Sequence, residues 1–152
     1  MIFQRINQYT DFVEETRARR ILVECLGASG DHLVNGEFWF VKINKEAVGV
    51  IGFYNKWLLR YFAFAITSEY NGELGHKAFS AFLNLHSSSR FVAKTVDHGH
   101  FCLDNYAPKL NHMAKFRLGD IVVYVNGGKG YFSMVFLLER LFFVTRRLLS
   151  RI

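Results

Sequence analysis

Proline is nearly absent: Pro108 is the only one in 152 residues, which rules out a proline-rich linker or a polyproline chain. Cysteine is equally scarce. Cys25 and Cys102 stand far apart, so there is no disulfide framework and no C-x-x-C zinc or redox motif, and a reducing cytoplasm is the expected compartment. No run approaches the ~18 uninterrupted apolar residues of a membrane span, because Glu139, Arg140, Arg146 and Arg147 break up the greasiest stretch. The start, Met1-Ile2-Phe3-Gln4-Arg5, lacks the basic patch, apolar run and cleavage site of a secretory signal. A chain with no transmembrane segment is therefore expected. Acidic residues are also short, 13 against 19 basic ones, for a net charge of +6. That balance permits attraction to nucleic acid, anionic lipid, acidic protein or a polyphosphate cofactor.

What is abundant is apolar and aromatic. Hydrophobic residues make up 51% of the chain and include 16 Phe, which excludes disordered and low-complexity classes and implies a sizeable core. Ile2, Phe3 and Ile6 predict a first strand. Thr10 and Asp11 offer helix N-caps, with Asp11 and Glu14 at capping-box spacing. Phe12, Ala18, Ile21, Leu22, Cys25 and Leu26 recur at helical intervals up to Gly27. After a loop at 28–32, two extended runs, Phe38 to Asn44 and Ala47 to Tyr54, flank the polar Lys45-Glu46 and read as a hairpin. A third run, Leu58 to Thr67, is dense in aromatic and β-branched residues and leads to a second helix with Gly75, Ala78, Phe79, Phe82 and Leu85 on its apolar stripe.

Ser87 to Ser89 end that helix, and Arg90 to Val96 predicts a strand. Asn105 as N-cap and Pro108 in the first turn predict a third helix, with Ala107, Leu110, and Met113 or Ala114 facing inward. Ile121 to Val125 and Tyr131 to Leu137 read as two strands around the turn Asn126-Gly127-Gly128-Lys129-Gly130. The tail 138–152 reads as an amphipathic helix, with Leu138, Leu141, Phe142, Leu148, Leu149 and Ile152 on one side and Arg140, Arg146, Arg147 and Arg151 elsewhere. No repeat or linker interrupts the chain, so a single domain over 1–152 is expected, its core at 1–137 and the amphipathic helix at 138–152.

Three clusters invite a sharper reading. His98 and His100, with Asp97, Cys102, Asp104 or His112, offer metal-ligand chemistry, but no spacing among them is diagnostic and a solvated strand end explains them as well; no metal is expected. Arg17 to Arg20 and Lys109, Lys115 and Arg117 are interrupted by acids and carry no nucleic-acid-binding signature, so nucleic acid is not an expected partner. The arginine-flanked apolar face of the C-terminal helix suits a membrane surface, a protein partner or self-association.

The order strand, helix, three strands, helix, strand, helix, two strands resembles the GCN5-related N-acetyltransferase (GNAT) family. Val48 to Phe53 is similar to that family's central hairpin strand, Phe64 to Gly72 to its fourth strand entering the cofactor loop, and Leu110 to Phe116 to its fourth helix. The likeness runs to about Leu137. It implies an α/β fold of the acyl-CoA N-acyltransferase kind, with a mixed, mostly antiparallel central sheet flanked by helices. It also implies transfer of an acetyl group from acetyl-CoA to an amine of a small molecule or a protein.

By the same resemblance, backbone amides around Phe64, Ala65 and Ile66 are the oxyanion donors, and Asn71, Gly72, Glu73, Leu74, Gly75, His76 and Lys77 form the pyrophosphate loop. In that alignment Leu74 and His76 occupy the family's two glycine positions, and Asn111 stands where a tyrosine acid is common. His112, Tyr106 and Tyr124 are the substitute acids. Glu69, Asp97, His98 and His100 are the candidate bases, and Glu69, His98 and His112 are carried forward as the catalytic set. These departures suit a second expectation, a GNAT-like protein without catalysis that serves a structural or binding role. Chains of similar organisation occur among the small internal virion proteins of short-tailed bacteriophages, which would place it in a virion or in host cytoplasm.

Overall fold

The first strand, β1 (Ile2–Ile6), pairs with β2 (Gly36–Ile43), which pairs in turn with β3 (Glu46–Lys56), and β3 with β4 (Leu59–Ile66), all antiparallel. These come from a computed structural model that describes residues 1–6, 12–26, 36–66, 73–96 and 113–152. Two tight turns make the meander. Asn44 and Lys45 both have positive φ, 51° and 68°, in the two-residue link between β2 and β3, the backbone twist that matches a hairpin. Trp57 and Leu58 form the link between β3 and β4, with Trp57 at φ 58°.

The side chains of these four strands sort onto two faces by simple alternation. One face carries Phe38, Phe40, Val50, Ala63 and Ala65, all buried and packed with Ala18 and Ile21 of the first helix, α1 (Phe12–Leu26). Two ion pairs fasten α1 to the strands below it, Arg17 to Glu46 at 3.2 Å and Lys42 to Glu14 at 3.1 Å. The other face is aromatic. Phe82 of the second helix, α2 (Glu73–Leu85), lies within 5.3 to 6.1 Å, centroid to centroid, of Phe3, Trp39, Phe53 and Phe62. Residues 1–85 thus form one compact unit of helix, sheet and helix.

Residues 86–152 form the other unit. Here β5 (Phe91–Val96) and β6 (Met113–Leu118) flank β7 (Ile121–Asn126), again antiparallel, and the long α3 (Lys129–Leu149) packs with them. Val123, Tyr124 and Val125 are buried in the middle strand. Phe116 of β6 meets Phe132 and Phe136 of α3 at 5.7 and 5.0 Å. At the other end of β7, the Asn126 amide donates to the carbonyls of Ser87 and Ser89 at 2.9 and 2.8 Å. The α/β class with a mostly antiparallel arrangement of strands stands as expected.

Several local expectations do not. Met113 and Ala114 belong to β6, so no helix runs through 113–116 as the third-helix reading required. The reason is period: Lys115 and Arg117 alternate with Phe116 and Leu118, and the two-residue turn Gly119-Asp120, with Gly119 at φ 60°, returns the chain into β7. The rest of that predicted helix, 105–112, lies outside the described residues. Tyr131 to Leu137 is helical, and α3 starts at Lys129 and not at 138. Gly127 and Gly128, at φ 145° and 93°, serve to start the helix and not to turn a hairpin. A side chain on Gly127 would meet Arg90 and Tyr131 at 2.7 and 2.8 Å. On α2 the inward residue is Leu83 at 1% exposure, whereas Leu85 is 72% exposed. Phe12, at the first position of α1, also points out.

Candidate functional site at the end of strand four

Strand β4 ends at Ile66 and α2 starts at Glu73, so six residues of sequence separate this strand end from this helix start. Ala65 and Ile66 are buried and Phe64 is half-buried. Along β3 the ladder is regular, with Ile51 opposite Phe64, Val50 opposite Ala65 and Gly49 opposite Ile66. Gly49 is required there: a Cβ on it would lie 2.8 Å from the Ala65 carbonyl oxygen. Phe64 and Phe62 each meet Phe79 of α2 at 5.5 Å, and these rings set the helix against the strand that leads to it.

The start of an α-helix leaves N–H groups without intrahelical partners and carries the positive end of the helix dipole. In α2 those groups belong to its first turn, Glu73, Leu74 and Gly75. Gly75 is buried, His76 is half-buried, and Glu73 and Lys77 are exposed. The Glu73 carboxylate accepts from the Lys77 ammonium at 2.9 Å, one turn on. That hydrogen bond, and then the charge of Lys77, hold the Glu73 carboxyl below its ordinary value of 4.5. The start of the helix is therefore neutralised from within, because its acid and its base are joined to each other.

Of the residues singled out in the sequence, the structure places Phe64, Ala65 and Ile66 on β4 and Glu73 to Lys77 on the first turns of α2. Asn71 and Gly72 lie outside the described residues, as do Glu69, His98, His112 and the alternatives Asp97, His100, Tyr106 and Asn111. Tyr124 is in the middle of β7 at 3% exposure. Among the described residues no group of three His, Cys, Asp or Glu is arranged to hold a metal ion. One pairing escaped sequence reasoning. Lys94 of β5 donates to Glu139 of α3 at 2.7 Å, with the Glu139 side chain only 4% exposed. The sole signal was an acid set between apolar residues on a helical face.

Comparison with solved structures extends over most of the chain. A GNAT family acetyltransferase from Elizabethkingia anophelis, solved with acetyl-CoA bound, matches with a TM-score of 0.56 over 84% of this chain and 97% of its own, at 10% identity. The chain has the GNAT fold. An acetyltransferase from Bacillus subtilis in complex with CoA gives a TM-score of 0.56 over 84% and 99% at 9% identity. The IAA acetyltransferase from Bacillus cereus gives 0.54 over 83% and 97% at 10% identity. No protein-family model and no curated protein matches the sequence. The GNAT likeness is thus one of backbone architecture, and the expected fold class holds.

Proposed function

We propose that the protein is an N-acetyltransferase that moves the acetyl group of acetyl-CoA to an amine. The observation that carries this reading is the near end-to-end match, over 97% of its length, to a GNAT acetyltransferase holding acetyl-CoA. The chemistry of the first turn of α2 fits an anionic cosubstrate in part. The amides and dipole of a helix start favour a pyrophosphate, and Lys77 supplies a cation within one turn, but Glu73 already holds that cation. An incoming phosphate competes with Glu73 for Lys77.

In this reading the thioester supplies an activated acetyl carbon. The amine nitrogen forms the new C–N bond, the C–S bond breaks, and the sulfur leaves with a proton. Of the backbone amides at Phe64 to Ile66, those directed away from the β3 ladder donate to the carbonyl oxygen as it gains negative charge. Glu69 takes the proton that the amine gives up, with His98 as the alternative base, and His112 returns a proton to the sulfur. Asn71 to Lys77 hold the pyrophosphate.

Isothermal titration of the protein with acetyl-CoA and with CoA tests the reading. Micromolar binding, about −8 kcal/mol, supports it, and Leu74→Gly with His76→Gly then strengthens binding. Acetylation of a panel of primary amines, lost on Glu69→Gln, completes the assignment. An absence of binding at millimolar cosubstrate overturns it.

A further inference from the structure

Helix α3 carries a second, outward apolar face. Val135 and Glu139 are its buried positions, yet Leu137, Leu141, Val144 and Leu148 are 68, 59, 51 and 60% exposed. Their spacing of four, three and four places them in one line along the helix. Leu149 and Ile152 extend the apolar surface beyond the end of that line, both well exposed.

The charges beside it have one sign. Arg140, Arg147 and Arg151 run along one border of the stripe, and Arg146 is exposed as well. The Arg140 and Arg147 guanidinium groups lie over the rings of Phe136 and Phe143, at 5.1 and 5.4 Å. The only acid of the helix, Glu139, is turned inward to Lys94. The wider unit follows suit. Residues 86–152 hold ten lysines and arginines against four acids, which is the whole net charge of +6, whereas residues 1–85 balance nine against nine.

We propose that α3 docks on an anionic lipid surface, with the Leu137 to Leu148 stripe in the acyl boundary and the bordering arginines at the headgroups. Charge complementarity favours that occupant. A second copy packed antiparallel on this face would set one arginine border against another. On a bilayer, apolar burial and headgroup attraction add together. Among the described residues no helix is long and apolar enough to cross a membrane, so α3 would lie along the surface.

Flotation of the full chain with phosphatidylcholine vesicles, and with vesicles that also contain phosphatidylglycerol, decides the matter. The protein is expected to float with the anionic vesicles alone, and to be released by added salt. Leu141→Glu with Val144→Glu should abolish flotation while leaving the melting temperature within a few degrees of wild type, because both positions are exposed. Arg140→Gln and Arg147→Gln should each weaken it about fivefold, the effect of one surface cation. Leu85→Glu, an exposed apolar position on α2, should change nothing. Failure to float with either vesicle, equal flotation with both, or unchanged flotation of the double glutamate variant would overturn the proposal. So would a dimer in sedimentation equilibrium that the double glutamate variant dissolves.

Discussion

The ion pair between Lys94 and Glu139 predicts an asymmetry that a generic salt bridge would not. Its two ends differ in environment: the Lys94 side chain is 32% exposed and the Glu139 side chain 4%. Replacing Glu139 with Gln leaves a lysine that extends its ammonium to water along its own apolar stem, so the expected cost is about 1 kcal/mol. Replacing Lys94 with Met leaves a carboxylate buried without the cation 2.7 Å away. Breaking a buried pair from that side is expected to cost about 3 kcal/mol, a fall in melting temperature of roughly 6 to 12 °C for a chain of this length. The double variant K94M/E139L, which exchanges both charges for apolar groups of similar size, should recover most of the loss. Urea unfolding followed by circular dichroism, with the three variants in parallel, measures all of this. If E139Q costs as much as K94M, or if both stay below about 0.5 kcal/mol, the pair behaves as a surface bridge and the burial argument fails.

Two further perturbations address the unit formed by residues 1–85. Phe82→Ala removes a ring that is 1% exposed and touches four aromatic neighbours, and should cost 3 to 5 kcal/mol, roughly, in urea unfolding. Trp39 lies 5.3 Å from that ring, so its emission should change too, and a loss below about 1 kcal/mol would mean that the cluster repacks. The carboxyl of Glu73 should titrate below its ordinary 4.5 in an NMR pH series. What the pair contributes is present above that ordinary value and is lost as pH falls through the folded-state value. Lys77→Gln should move the midpoint back up, and an unmoved midpoint would refute the assigned cause.

The legibility of the fold followed its periodicity. From Ile2 to Val96 each element was readable because strands alternate with period two and helices recur every three to four residues, although the turn between β3 and β4 is the apolar Trp57-Leu58, with Leu58 read as strand. Tyr131 to Leu137 misled because Tyr-Phe-Ser-Met-Val-Phe-Leu is aromatic and apolar nearly throughout and has no polar spacing to separate the two periods. Its inward face is set by Phe116, Val135 and Glu139, which only the tertiary structure assembles. The two glycines before it looked like a hairpin turn because adjacent glycines are a turn signal, and here their positive φ serves the start of a helix instead. At the candidate site, the strand end and helix start were legible, while the Glu73–Lys77 pairing was visible only as a spacing of four. Glu69, His98 and His112 fall outside the described residues, and their roles rest on the proposed reading alone.

The two-residue turns at 44–45 and 57–58 bear on how the protein comes into being. They join three strands that are also neighbours in sequence, so the pairings of β2, β3 and β4 close only short loops. Contacts of that kind form fast, whereas β5 reaches β7 only across more than twenty intervening residues. Pulse-labelled exchange would therefore find the amides of Val50 and Ala63 protected before that of Val123. As the chain leaves the ribosome, Phe38, Phe40 and Phe53 can already leave water together while the basic half is still being made, which shortens the time during which the most aromatic part of the sequence is open to aggregation.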